Sequence, residues 1–110
     1  MIETLWNETI EDLREHGKTF ADVRWIGTRD ARIPLDSFRR LADVVYDSDY
    51  GGQRVAADLL VVGDDWWMER HEYDGSEWWE FKTMPVMPER AIEVRRIIGG
   101  AWDTLKEMNA

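Results

Sequence analysis

The sequence predicts an α+β fold in which a small antiparallel sheet, built around a tryptophan-rich hairpin, packs against an N-terminal and a C-terminal helix. Three observations predict it. Apolar residues recur at helical spacing near both ends, with Ile2, Trp6, Ile10 and Leu13 at one and Ile92, Trp102 and Leu105 at the other. The middle carries the continuous apolar run Leu59-Leu60-Val61-Val62, which has strand length. After it, two stretches dense in tryptophan flank Asp74-Gly75, a dipeptide that favours the type I′ hairpin turn because both residues tolerate positive φ.

The elements follow in order. A first helix spans residues 3 to 16, with Gly17 as its stop signal. Val23-Arg24-Trp25-Ile26 and Ala31-Arg32-Ile33 read as short strands joined by Thr28-Arg29-Asp30, and Pro34 closes the unit. Asp36 stands where an N-cap would, predicting a short helix from Ser37 to Ala42. The stretch 46–52 reads as an ordered loop packed by Tyr46 and Tyr50. The apolar run is the candidate central strand, buried on both faces, and the hairpin strands are Trp66 to Tyr73 and Glu77 to Thr83. Pro88 suits the first turn of a last helix running through Ile92, Arg95, Arg96, Trp102 and Leu105, which Gly99-Gly100 would kink or split.

The whole chain, residues 1–110, reads as one domain, because a second core would be too small to bury enough surface. With no cysteine, disulfides, thiolate zinc sites and cysteine nucleophiles drop out together. The N-terminus has neither the basic nor the apolar region of a signal peptide, and no run is long enough to span a bilayer, so a cytoplasmic address is expected.

The net charge of −9 is concentrated in one place. Residues 1–42 carry eight acids and seven bases, residues 43–81 carry eleven acids against Arg54 and Arg70, and residues 82–110 are close to neutral. A segment so charged repels nucleic acid and anionic membrane and attracts basic protein surfaces.

A two-residue turn sets Tyr73 against Ser76, Arg70 against Trp79 and Glu69 against Glu80. Trp66, Met68, Trp79 and Phe81 then face the core, with Arg70 stacking on Trp79. The other face presents Trp67, Glu69, His71, Tyr73, Trp78, Glu80 and Lys82. For Trp67 and Trp78, cross-strand packing and an exposed aromatic patch both remain open. Glu69 opposite Glu80 is a conflict of like charges; a three-residue loop that shifts the register, or a basic partner or cation, would relieve it.

Chemistry is sparse. Asp47-x-Asp49-x-Gly51-Gly52-x5-Asp58 echoes a calcium loop, but glycine holds the fifth position and aspartate the last, so a solvated acidic loop is the better reading. His16 belongs to a helix end, where its charge suits the macrodipole. No nucleophile, oxyanion site or phosphate loop accompanies the carboxylates, so no enzyme, catalytic residue, cofactor or metal is expected.

The run from Tyr46 to Gly52, then Ala57 to Trp67, then Glu69 to Lys82 resembles small acidic proteins encoded by phages, prophages and mobile elements of Gram-positive and gut bacteria. The similarity covers residues 20 to 88. It implies a setting in which short acidic proteins counter host defence, including anti-CRISPR proteins that bind a nuclease complex. Under that reading Asp64, Asp65, Trp67, Glu69, His71, Glu72, Glu77, Trp78 and Glu80 form the partner-binding surface for a basic bacterial protein or nucleoprotein complex. Carboxylates at i and i+2 on a strand, roughly 6.8 Å apart, could imitate backbone phosphates, and Glu69, Glu72, Glu77, Glu80, Asp64 and Asp65 would supply such a row. A sugar- or nucleotide-binding module using Trp67, Trp78 and Tyr73, and a phage assembly protein that homo-oligomerises, are the rivals.

Overall fold

A computed structural model describes residues 2–110. Among the described residues seven strands and three α-helices follow one another, with a 3-10 turn at Phe20–Asp22: β1 (Ile2–Thr4), α1 (Leu5–Glu15), β2 (Trp25–Gly27), β3 (Arg32–Ile33), α2 (Leu35–Ala42), β4 (Val45–Asp47), β5 (Leu60–Val62), β6 (Trp66–Tyr73), β7 (Ser76–Thr83) and α3 (Leu105–Met108). Five strands form an antiparallel sheet in the order β3-β2-β5-β6-β7, while β1 and β4 pair separately. The fold is α+β, with the apolar run at the centre of the larger sheet as the sequence predicts.

α1 begins two residues later than expected, because Ile2–Thr4 is drawn into pairing with Val45–Asp47. Thr4 caps the helix, its side chain accepting from the Asn7 backbone N–H. The second helix also departs from the forecast: it starts at Leu35 with Pro34 at the N-cap and no side-chain cap, so Asp36 lies in the first turn, where a carboxylate complements the macrodipole instead. The predicted loop at 46–52 is partly strand, since β4 takes Val45–Asp47. Tyr46 packs inward and Tyr50 is exposed, so only one of the two tyrosines orders it.

One face of the sheet is closed by α1 and α2. Ile26, Val61, Met68, Trp66 and Trp79 meet Leu13, Phe38 and Ala42 there, which makes the core. Trp6 stacks on Phe20 with ring centroids 4.4 Å apart, and Phe81 lies between His16 and Trp66 at 4.0 and 5.4 Å. His16 stands at the C-terminal end of α1, its Nδ1 at 2.9 Å from the Asp12 carbonyl, as its place on the helix suggested.

The hairpin turn is the two-residue one. Asp74 and Gly75 both take positive φ, 52° and 88°, and the register pairs Tyr73 with Ser76 and Glu69 with Glu80. A three-residue loop and its shifted ion pairs are thereby excluded.

The largest departure is at the C-terminus. In place of a helix from Pro88 through Leu105, residues 84–104 form an irregular arm, and only Leu105–Met108 is helical. Prolines at 85 and 88 and the glycine pair at 99–100 remove backbone donors and raise the cost of helix at both ends of the stretch, and the arm has no core to repay it. The radius of gyration is 18.0 Å, against about 13 Å for a compact chain of this length. No helix among the described residues is long and apolar enough to cross a membrane.

Candidate functional site: the open face of the sheet

Side chains alternate along a strand, so the pairings decide which residues share the face that the helices leave open. One row runs across all five strands through Arg32, Gly27, Leu60, Glu69 and Glu80. A second crosses four strands through Trp25, Val62, Trp67 and Lys82, and His71 with Trp78 begins a third. Trp25, Leu60, Val62, Trp67, Glu69, His71 and Glu80 are half-buried and Trp78 is exposed, whereas Ile26, Val61, Trp66, Met68, Arg70 and Trp79 on the core side are buried. The open question about Trp67 and Trp78 thus resolves to the solvent side.

Glu69 and Glu80 face each other directly, and each is held by an indole on its own strand. Trp67 Nε1 donates to Glu69 Oε1 at 2.8 Å, and Trp78 Nε1 donates to Glu80 Oε2 at 2.9 Å. In both pairs donor and acceptor are two residues apart, the separation at which strand side chains point the same way. The Trp67 hydrogen bond, with help from His71 at 3.2 Å and from the charge of Lys82, holds the Glu69 carboxyl below the usual range despite partial desolvation. The result is two oriented carboxylates between two aromatic surfaces.

The other residues expected at the surface divide. Asp64 is exposed in the β5–β6 turn and forms a bidentate pair with Arg24 at 2.6 and 2.9 Å, which lowers its pKa. Asp65 is exposed beside it. Glu72 is exposed near the hairpin tip, but its pairing with Glu77 puts it on the core-facing side of the sheet. Glu77 is the correction: it is 4% exposed and belongs to the interior. A single row of six carboxylates therefore does not exist; two remain together on the open face.

Glu77 is buried because it neutralises Arg70. The Arg70 guanidinium donates from Nη2 to Glu77 at 2.7 Å and from Nη1 to Glu8 at 2.5 Å, and also reaches the Tyr46 hydroxyl at 3.0 Å. Tyr46 donates a short hydrogen bond to Glu8. Glu77 further accepts from the backbone N–H groups of Arg54 and Val55, tying the 50s loop to the hairpin. The guanidinium lies 4.8 Å from the Trp79 ring, the expected stacking, while Trp79 Nε1 donates to Thr9 at 3.0 Å. One signal for this network was present in the sequence: Arg70 is one of only two bases in the acidic segment and sits at a core-facing position.

Trp25, Leu60 and Val62 were not recognised as part of the site, because only the strand order brings them beside Trp67 and Glu69. Among the described residues no three His, Asp or Glu side chains gather as a metal site would require. Asp47 Oδ1 instead accepts from the Asp49 backbone N–H, a local turn bond. Comparison with protein families, with curated proteins and with solved structures finds no match to this chain.

Proposed function

We propose that the chain is a non-enzymatic binding protein, of the phage or prophage accessory kind, whose open sheet face engages the basic surface of a bacterial protein or nucleoprotein complex. The observation that carries this reading is Glu69 opposite Glu80, each oriented by an indole N–H. The two carboxylates, anionic and already oriented, offer adjacent acceptors that a partner's Arg or Lys bridges while stacking on Trp67 or Trp78. Trp25, Leu60 and Val62 extend the contact with apolar area, the composition of an interface centre. The phage setting and the inhibitory role rest on the resemblance of residues 20 to 88; with the row of six carboxylates dispersed, local pairing with a basic patch accounts for the face better than mimicry of a phosphate backbone.

The test is capture from a bacterial host extract with wild-type chain and with a Glu69→Lys, Glu80→Lys double variant. The expected partner is basic, is lost on the variant, and weakens steeply between about 50 and 300 mM salt. Equal capture by the variant would overturn the proposal. The Trp25–Val62–Trp67 row favours a second reading, a flat stacking platform for a sugar or nucleoside; binding of that kind changes little with salt and is lost in Trp67→Ala.

A further inference from the structure

The C-terminal arm and a groove on the helical side of the molecule are both apolar and both bare. The arm closes on itself through Asn109. Its Oδ1 accepts from the backbone N–H groups of Arg95 and Arg96 at 2.8 and 3.1 Å, and its Nδ2 donates to the Arg96 and Leu105 carbonyls at 3.0 and 2.7 Å. The Arg96 guanidinium adds a bond to the Met108 carbonyl at 2.6 Å. The loop so clipped holds Ile97, Ile98 and Trp102 outward, with Trp102 97% and Ile98 90% exposed. Trp102 also adopts φ 63°, a left-handed conformation unusual for a bulky aromatic residue, of the kind that proteins retain at binding sites.

The groove lies between α1, α2 and β4, is lined by Leu5, Phe38, Leu41, Val44, Val55 and Leu59, and has a volume of about 310 Å³, room for a bulky side chain. Leu41 and Val44 on its rim are 65% and 60% exposed, so no described residue of the arm fills the groove of its own molecule. Ile97 is likewise 75% exposed, so the three knob side chains together offer on the order of 500 Å² of apolar surface, and a contact made twice approaches the size of a small stable interface.

From these features we infer that the protein forms a homodimer by arm exchange, the Ile97–Trp102 knob of each copy seated in the apolar groove of the other. Knob and groove are different surfaces, and reciprocal exchange pairs each knob with the other copy's groove, an isologous contact. A twofold arrangement makes it twice and closes it, doubling the buried area and limiting growth to two chains. The open sheet face, on the opposite side of the sheet from the helices, stays free in both copies.

Sedimentation and light scattering of the full chain test the inference. The wild type is expected at twice 13.0 kDa at tens of micromolar. Ile98→Asp on the arm and Leu41→Asp on the groove, both at exposed positions, should each give a monomer with an unchanged circular dichroism spectrum. Mixing the two variants pairs an intact arm with an intact groove and should restore a heterodimer through one contact, at higher concentration. A wild type that remains at 13.0 kDa up to hundreds of micromolar, or a dimer indifferent to both substitutions, overturns the proposal. So does a monomeric wild type whose tryptophan emission shifts on adding lipid vesicles when the shift is lost in Trp102→Phe, which would make the knob a membrane anchor.

Discussion

Arg70 and Glu77, on the two strands of the hairpin, meet at 2.7 Å with both side chains closed to solvent, and Glu8 approaches the same guanidinium from α1 at 2.5 Å. A cation between two buried carboxylates holds helix and hairpin together by mutual necessity. Arg70→Met keeps much of the volume but strands both acids, and a loss of about 3–5 kcal/mol is expected in denaturant titration. Glu77→Gln should cost less, since the amide oxygen can still accept from Arg70 and the Val55 N–H, and only the Arg54 N–H loses its acceptor to the amide nitrogen.

The stability profile with pH carries the mark of Asp12. Burial, then the neighbouring Glu8 and Glu15, push its pKa up to about 6, with Arg70 and His16 only partly opposing. The folded state thus binds this proton more tightly than the unfolded chain, where the value is about 3.9, and stability falls as pH rises from about 4 through 6. Glu69 acts in the opposite sense: held low, it favours the fold above about pH 4.5 and loses that contribution as acid protonates it. Because Asp12 is shifted further than Glu69, a stability maximum near pH 4 is expected, with a decline from there to about pH 6. Asp12→Asn should flatten the decline above it and stabilise the protein at pH 7 by on the order of 1 kcal/mol, half-burial tempering the full shift.

Glu80→Gln separates binding from folding. The amide oxygen can keep the Trp78 hydrogen bond while the repulsion from Glu69 disappears, so thermal unfolding should move upward by the equivalent of a few tenths to about 1 kcal/mol. Partner capture should weaken in the same variant. A face whose charges serve only solubility would gain stability and lose nothing.

Gly63 lies against the Trp66 indole, and a methyl group at that position would overlap the ring. Gly63→Ala must displace a tryptophan that anchors both the core and the Phe81 stack, so a loss of about 1–3 kcal/mol and a changed near-ultraviolet circular dichroism band are expected.

Where local chemistry decided the outcome, the sequence was readable. Asp74-Gly75 dictated the turn, the turn dictated the register, and the register placed Glu69 against Glu80 and Arg70 against Trp79. The central strand was legible from the apolar run Leu59-Leu60-Val61-Val62, but its burial on both faces was not borne out: Leu60 and Val62 lie half-buried on the open face, because no helix covers that side. What escaped depends on partners remote in the chain. β1 exists because Val45–Asp47 is there to receive it, and Glu77 is buried because Arg70 requires it. Trp25 joins Trp67 only through β5. At the C-terminus the apolar spacing was genuine, but spacing specifies a helix only when a surface waits for its apolar side, and within one chain the arm has none.

β7 is eight residues long and forms the edge of the five-stranded sheet, a geometry that invites a further strand from any passing chain. One backbone donor there is already taken, the Glu77 N–H by the Ser48 carbonyl at 2.7 Å. For the rest, two hairpins approaching edge to edge bring their acidic segments together and repel each other. Charge thereby works as a guard on the edge: runaway fibre-like pairing of hairpins is discouraged by the same acidic segment that gives the open face its character.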